Sequence, residues 1–407
     1  MTILSGKKKI AIVGLVAAAA LAVAPRAAAV PASASTMART NSPEAGALSA
    51  LCCWSPVSAH VLRPGTSKRA TPLLQRIVKR LVRDGAPGAL AEVRTRMRIR
   101  RAAAGVSQRQ PSVALRVTGR FRAASITKSF VATVVLELAA EGKLSLDDTV
   151  EHWLPGAVPN GAAITLRELL NHTSGLFDYG NDQDWNERRV ADPQRIWLPE
   201  ELMAVAVSHR PYFSPGTDWH YSNTDYVLLG LIIEKVTGRS LGDELNERIF
   251  QPLALSATSF PTAPGNDSWL VHAYIGNATI PTIQGLVDVT PLLNPSWSWA
   301  AGALVSNADD LTTFYARLLS GRVLRPDLVT AMRTVTSPAE DYGLGLMRID
   351  TPCGLAFGHR GDYFGYRNEA LSRPNGNRVA LVMVNVDTTN VSWAELDVAA
   401  QEALCSG

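Results

Sequence analysis

The segment Phe130-Val131-Ala132-Thr133-Val134-Val135-Leu136-Glu137-Leu138 constrains the fold of this chain more than any other. It is apolar around nearly its whole circumference and rich in β-branched residues, a pattern that suits burial between layers rather than a surface position. At its mouth stands Ser125-Ile126-Thr127-Lys128. Residues i and i+3 share a helix face, so the serine and the lysine can point the same way. The pattern predicts a helix from Ser125 to about Glu141, stopped by Gly142. A serine there is ordinarily a cap, and a lysine ordinarily avoids the positive end of the helix dipole. Lys128 breaks that preference. A partly desolvated amine beside a hydroxyl can act as a neutral base for a serine nucleophile.

Two distant stretches give that pair its meaning. Tyr221-Ser222-Asn223 follows the turn signal Pro215-Gly216, which predicts that Tyr221 and Asn223 sit on a loop before the next helix. His359-Arg360-Gly361 follows the apolar Leu355-Ala356-Phe357-Gly358 and reads as strand. Ser-x-x-Lys, Tyr-x-Asn and His-x-Gly in this order resemble the three-part signature of the serine penicillin-recognising enzymes. Ile164–Leu176, Trp299–Ser306 and Tyr342–Leu346 resemble further hallmarks of the class C β-lactamase and D-Ala-D-Ala carboxypeptidase group. The resemblance runs from about Leu74 to Cys405. It is strongest to secreted actinomycete-type D-alanyl-D-alanine carboxypeptidases, which Asp84-Gly85-Ala86-Pro87-Gly88 and the late cysteine pair also fit.

That resemblance implies an α+β fold of the β-lactamase/transpeptidase type, with an antiparallel sheet flanked by helices and an inserted, mostly helical lobe. It implies Ser125 as nucleophile, and Lys128 and Tyr221 as candidate bases. Lys128⁺ is also a candidate to lower the Tyr221 pKa and hold a phenolate-like group. Asn223 is expected to bond a substrate amide and Lys128. The backbone N–H groups of Ser125 and Asp362 would form the oxyanion trap. Gly361 would let a substrate backbone lie close. His359 would act on substrate or electrostatically, and Trp297 would line the core or cleft with a substrate contact about even. Cys353 and Cys405 would form a disulfide.

The third motif departs from its family. The carboxypeptidases resembled here usually show His-Thr-Gly-Thr, whose hydroxyls help hold the substrate's terminal carboxylate, and this chain has His359-Arg360-Gly361-Asp362. An inward-pointing Arg360 can hold a carboxylate, whereas Asp362 repels one. Two apart on a strand, they are expected to share a face and to pair with each other. The upstream arginine of those enzymes aligns with Met347, beside Arg348. The acylating machinery is therefore better supported than carboxylate specificity. The expected function is a secreted D-Ala-D-Ala carboxypeptidase acylated by penicillins. A carboxylesterase, a D-aminopeptidase, a β-lactamase, or a non-catalytic binding protein of the same fold stand as alternatives. An α/β-hydrolase is disfavoured: Gly238-Arg239-Ser240-Leu241-Gly242 has the Gly-x-Ser-x-Gly spacing, but it follows the helix expected at 225–237 rather than a strand.

The rest of the chain frames this domain. Lys7-Lys8-Lys9, an apolar run from Ile10 to Ala24 and small residues after Pro25 read as an export signal over 1–34. Residues 35–70 read as a linker or N-terminal arm, and 71–407 as the hydrolase domain. Its sheet lobe is expected from 71–144 and 296–407, and its helical lobe from 145–295. Helices are expected at 73–82, 199–207, 225–237 and 392–404. Strands are expected at 88–95, 97–106, 344–348, 355–358, 366–372 and 378–386. The net charge of +4 is ordinary, and the arginine-rich run 94–101 reads as an exposed strand face with a basic edge, not a nucleic-acid footprint. His152, His172 and His220 lack metal-ligand spacing, so neither metal nor cofactor is expected. Cys52-Cys53 has no assignable role. The expected partners are a small peptide or β-lactam substrate and cell-wall peptidoglycan, with a monomeric chain and no stable membrane span after processing.

Overall fold

The computed structural model describes residues 65–66 and 72–406, apart from 266, 277–284, 337, 340 and 389. The expected export signal, nearly all of the arm and Cys52-Cys53 lie outside the described residues. Strands β1 (Gly65–Thr66), β2 (Gly88–Thr95), β3 (Arg98–Gln108), β4 (Met347–Thr351), β5 (Gly354–Tyr363), β6 (Tyr366–Ser372) and β7 (Arg378–Val384) form the main sheet. Their spatial order is β1-β3-β2-β7-β6-β5-β4, with Val113–Ala114 pairing β3 off this path. All neighbours are antiparallel except the short β1–β3 pair. The two ends of the chain meet at β2–β7, where Ala89 pairs with Val384 and Thr95 with Arg378.

Strand alternation explains the layers. On β7, Val379, Leu381 and Met383 enter the larger core, while Ala380, Val382 and Val384 enter a second one. The second core is closed by helices α1 (Pro72–Arg83) and α5 (Trp393–Cys405). Leu74, Ile77, Val78 and Leu81 form the buried stripe of α1, the i, i+3, i+4, i+7 pattern of an amphipathic helix. Each such side chain contributes roughly 1.5–3 kcal/mol on burial. The larger core holds α2 (Thr127–Ala140), α3 (Asn223–Thr237) and α4 (Ala308–Leu319). Every residue of α2 from Thr127 to Leu136 is buried, as the apolar circumference requires.

Several boundaries differ from expectation for tertiary reasons. Ser125 lies on a 3₁₀ turn, Ala124–Ile126, ahead of α2 rather than on it. Ala124 holds φ +52°, which an α-helix cannot accommodate. Leu344–Leu346 is a turn with Gly345 at φ +75°, so the strand begins at Met347. Strand β5 runs on through His359–Asp362 to Tyr363. Val386–Asp387 leaves the sheet to pair with Tyr274–Ile275. The arginine run straddles the β2–β3 turn. Arg94 and Arg101 fold inward, both bonding Asp309 on α4, and Arg101 Nε donates to the buried Glu92 at 2.7 Å.

A disulfide joins Cys353, between β4 and β5, to Cys405 at the end of α5 across 52 residues. Restricting an unfolded loop of that length contributes roughly 2–4 kcal/mol. Cys353→Ser is therefore expected to lower the urea midpoint of the oxidised protein by a matching amount. An unchanged midpoint would show that packing alone holds this corner.

Candidate active site

Three separate pieces of backbone bring the motif residues together. Ser125 is presented by the 3₁₀ turn, Lys128 by the first turn of α2, and Asn223 by the first residue of α3. Asn223 thus opens a helix instead of sitting on a loop, with Ser222 at its cap and Tyr221 just before. Gly230 is what allows α3 this position. A Cβ there would lie 2.7 Å from Ala300 Cβ and from the Trp299 ring.

The Lys128 amine has three hydrogen-bond partners: Asn223 Oδ1 at 2.8 Å, the Ala301 carbonyl at 2.8 Å and Ser125 Oγ at 3.2 Å. Two of them only accept. A neutral amine has two N–H bonds and one lone pair, so with both hydrogens given to Asn223 and Ala301 its lone pair is left for the Ser125 hydroxyl proton. Burial lowers the Lys128 pKa to about 7, against the opposing pull of Asp178 and Asp225. The amine also stands 4.7 Å over the Tyr221 ring.

Tyr221 behaves differently. Desolvation raises its pKa well above the ordinary tyrosine value, and the hydrogen-bonding contact with Ser125 opposes this without reversing it. The expected phenolate-like state is therefore corrected: Tyr221 is a phenol, able to pass a proton rather than to hold a charge. The His172 ring lies 4.3 Å from the Tyr221 ring. It is fixed in turn by Asp225 at 2.9 Å, which also accepts from Ser174 Oγ at 2.5 Å. The Asn171–Gly175 stretch is thus a support for Tyr221 and the first turn of α3.

Strand β5 forms another wall. Beyond Gly358 it pairs only with β6, because β4 pairing ends there. Gly361 sits where a Cβ would come within 2.3 Å of the Ala123 carbonyl. Its role is to let β5 lie against the segment carrying Ser125, not to make room for a substrate backbone. His359 is buried, with Nδ1 donating to the Arg360 carbonyl at 2.6 Å and Nε2 accepting from the Tyr342 hydroxyl at 2.8 Å. Burial lowers its pKa to about 3, so it is a neutral, fully engaged imidazole and not a substrate contact.

Arg360 and Asp362 do share a face, since both meet Trp393 on α5. They do not pair with each other. Arg360 bonds Asp397 at 2.7 Å and the buried Glu369 at 3.4 Å, and it is no part of the cleft wall. Asp362 lines the cleft, half exposed, with Arg367 Nε 4.0 Å away. Crowding by the cleft walls, then Asp387, push its pKa up to about 6. The cleft has a volume of about 670 Å³, and Ser125, Tyr221, Asn223, Trp297 and Asp362 all line it.

The sequence reading missed Asp178. Its carboxylate accepts from Asn223 Nδ2 at 3.1 and 3.3 Å and from the Gly180 N–H at 3.0 Å. By taking the amide nitrogen it turns Asn223 Oδ1 toward Lys128. The signal was slight: one acid two residues past the Ile164–Leu176 hallmark stretch.

The family described as Beta-lactamase matches over residues 74–404. The chain belongs to the beta-lactamase family. It is 36% identical to a D-stereospecific amidohydrolase from Streptomyces sp., with a TM-score of 0.72, covering 81% of this chain and 97% of that one. It is also 28% identical to Penicillin-binding protein 4* of Bacillus subtilis (strain 168), over 72% of this chain and 66% of that protein. A D-aminopeptidase of Brucella anthropi is 27% identical over 77% of this chain and 59% of that protein. The chain thus spans roughly three-fifths to two-thirds of the length of these two relatives.

The acylation rate is expected to rise with pH through about 7, because the basic form of Lys128 prevails above its pKa. A kcat/KM profile would test this, and a flat profile between pH 6 and 8 would remove Lys128 as the base. Asp178→Asn takes away a charge that raises the Lys128 pKa, so the acidic limb should move to lower pH. Loss of Asn223 orientation should meanwhile cost about tenfold to a hundredfold in kcat/KM. A loss of rate with an unmoved limb would limit Asp178 to a structural role.

Proposed function

We propose that the protein is an acyl-enzyme-forming serine hydrolase that cleaves amide bonds of D-amino-acid units bearing a free ammonium group, as a D-aminopeptidase or D-amino-acid amidase does. Neutral Lys128 takes the Ser125 proton as Oγ attacks the carbonyl carbon. The N–H groups of Ser125 and Asp362 hold the oxyanion. The Tyr221 phenol gives its proton to the departing nitrogen and regains one through Lys128. Water then repeats the sequence in reverse and frees the acid.

The observation that carries the substrate class is the charge at the third motif. Arg360 is committed to Glu369 and Asp397, while Asp362 faces the cleft. At ~5 Å and an effective dielectric near 20, that carboxylate would favour an ammonium over a carboxylate by about 3 kcal/mol for each unit charge, before solvent at this half-open position reduces it. The D-stereospecific amidohydrolase and the D-aminopeptidase support this reading over the carboxypeptidase expected from the motifs. We also propose export, on the apolar run that follows Lys7-Lys8-Lys9 and on a disulfide suited to an oxidising compartment. Among the described residues no helix is long and apolar enough to cross a membrane.

A substrate panel tests the reading: D-alanine amide, its N-acetyl derivative, L-alanine amide, a D-Ala-D-Ala peptide and a short-chain p-nitrophenyl ester. The free D-amide is expected to be preferred over its acetylated form, and Asp362→Asn is expected to shrink that preference roughly tenfold or more. Faster turnover of an N-acetylated D-Ala-D-Ala peptide, added to this panel, than of D-alanine amide would return the protein to the carboxypeptidases. Ser125→Ala should abolish all turnover, on the order of 10³-fold or more.

A further inference from the structure

Arg189, on the helix Gln183–Ala191, is an unpaired cation in the wall of the same cleft. Its side chain is almost sealed, at 6% relative exposure. The guanidinium carbon lies 5.1 Å from the Trp185 ring, 4.8 Å from Trp297 and 4.4 Å from Phe364. Its Nε donates to Asn186 Oδ1 at 2.8 Å. Among the described residues, no carboxylate lies within ion-pairing distance of it. Three other buried or half-buried arginines do have carboxylate partners. Arg122 pairs with Asp267, Arg248 with Glu141 and Glu244, and Arg367 with Asp387.

A guanidinium offers five N–H donors, and the protein satisfies one of these. Burial lowers the Arg189 pKa to about 10, so the group remains charged at neutral pH. Aromatic faces compensate part of the charge but accept no strong hydrogen bond. The surroundings add donors rather than acceptors. The indole N–H groups of Trp185 and Trp297 are buried without a partner, and the Tyr179 hydroxyl already donates to the Trp297 carbonyl at 2.9 Å. An uncompensated buried cation is costly, and the fork of an arginine matches a carboxylate in shape and charge. The cleft lies open to supply one.

We propose that Arg189 is a carboxylate-binding residue of this cleft, so that the preferred substrate carries a carboxylate in addition to the scissile amide. This rests on the reading of the cleft as the acyl-transfer site. The carboxylate can come from the side chain of the acyl unit, as in a D-glutamyl residue, or from the free C-terminus of the leaving group. Asp362 and Arg189 then sort the charges of a zwitterionic substrate between two walls of one cleft.

Two matched pairs separate these sources. D-glutamic acid α-amide against D-glutamine α-amide reports a side-chain carboxylate. D-alanyl-D-alanine against D-alanyl-D-alanine amide reports a C-terminal one. In the unaltered protein, the acidic member of one pair is expected to have a kcat/KM about tenfold or more above its neutral partner, the scale of one charge-assisted hydrogen-bonded contact. Arg189→Met should collapse that ratio toward unity, and Arg189→Lys should leave it between the two. No preference for the acidic member in either pair overturns the proposal, even if Arg189→Met fails to fold. So does a preference that survives in a folded Arg189→Met. Ser125 labelling by a p-nitrophenyl ester, followed by intact mass, keeps the two levels apart. Labelling without carboxylate preference rejects Arg189 alone, and no labelling rejects the acyl-transfer reading beneath it.

Discussion

Lys128 is buried completely, and most of the site's architecture serves its amine. Two acceptors that cannot donate take its hydrogens, which leaves the third direction to a hydroxyl that can. Each acceptor is held by a different part of the fold. The Ala301 carbonyl belongs to the Trp299–Ala301 turn against which α3 packs through Gly230. Asn223 Oδ1 is aimed by Asp178, and Ser125 by a turn whose Ala124 takes a left-handed conformation. The apolar circumference of α2 supplies the other ingredient. It removes water from around the amine, so that the uncharged state costs little and the charged state costs much.

The same dry surroundings act oppositely on the neighbouring phenol. Desolvation penalises whichever form is charged, so the lysine goes down and the tyrosine goes up. Near neutral pH the pair therefore contains one available lone pair and one available proton, on two groups that both contact Ser125. Acid and base roles are divided by one environment, not by two separate ones. His359 is excluded from that work by its own hydrogen bonds.

The layers and the central residues of the site were legible because they follow local rules. The expected strands 88–95 and 366–372 coincide with β2 and β6, and 378–386 contains β7. The stripe Leu74, Ile77, Val78, Leu81 placed α1, and a capping box of Ser392 with Glu395 starts α5 at the expected point. The spacing of Ser125 and Lys128 placed the pair correctly even though Ser125 is not on the helix. What stayed illegible depends on partners remote in sequence. Alternation gives the shared face of Arg360 and Asp362, but not Asp397 on α5 or Arg367 on β6, which claim them separately. A Cβ at Gly361 would clash with Asn368 Oδ1 and with the Ala123 carbonyl, the latter more than two hundred residues earlier. Arg189 is one of two adjacent arginines on a polar helix, and nothing local distinguishes the one that turns inward.

The charged third motif has a structural logic that bears on recognition. Arg360 stands between Glu369 and Asp397, and Glu369 is fully buried, its pKa raised to about 8 first by desolvation and then by Asp397. Withdrawing the guanidinium to meet a substrate would break its 2.7 Å ion pair with Asp397 and its contact with Glu369, and leave those two acids facing each other without a cation. One substrate carboxylate would only replace the contacts given up. Arg360 is therefore a tie between the sheet and α5 rather than a reserve ligand. A position that serves substrate in the enzymes this motif resembles has become part of the frame. Charge recognition then falls to groups that already line the cleft, Asp362 and Arg189.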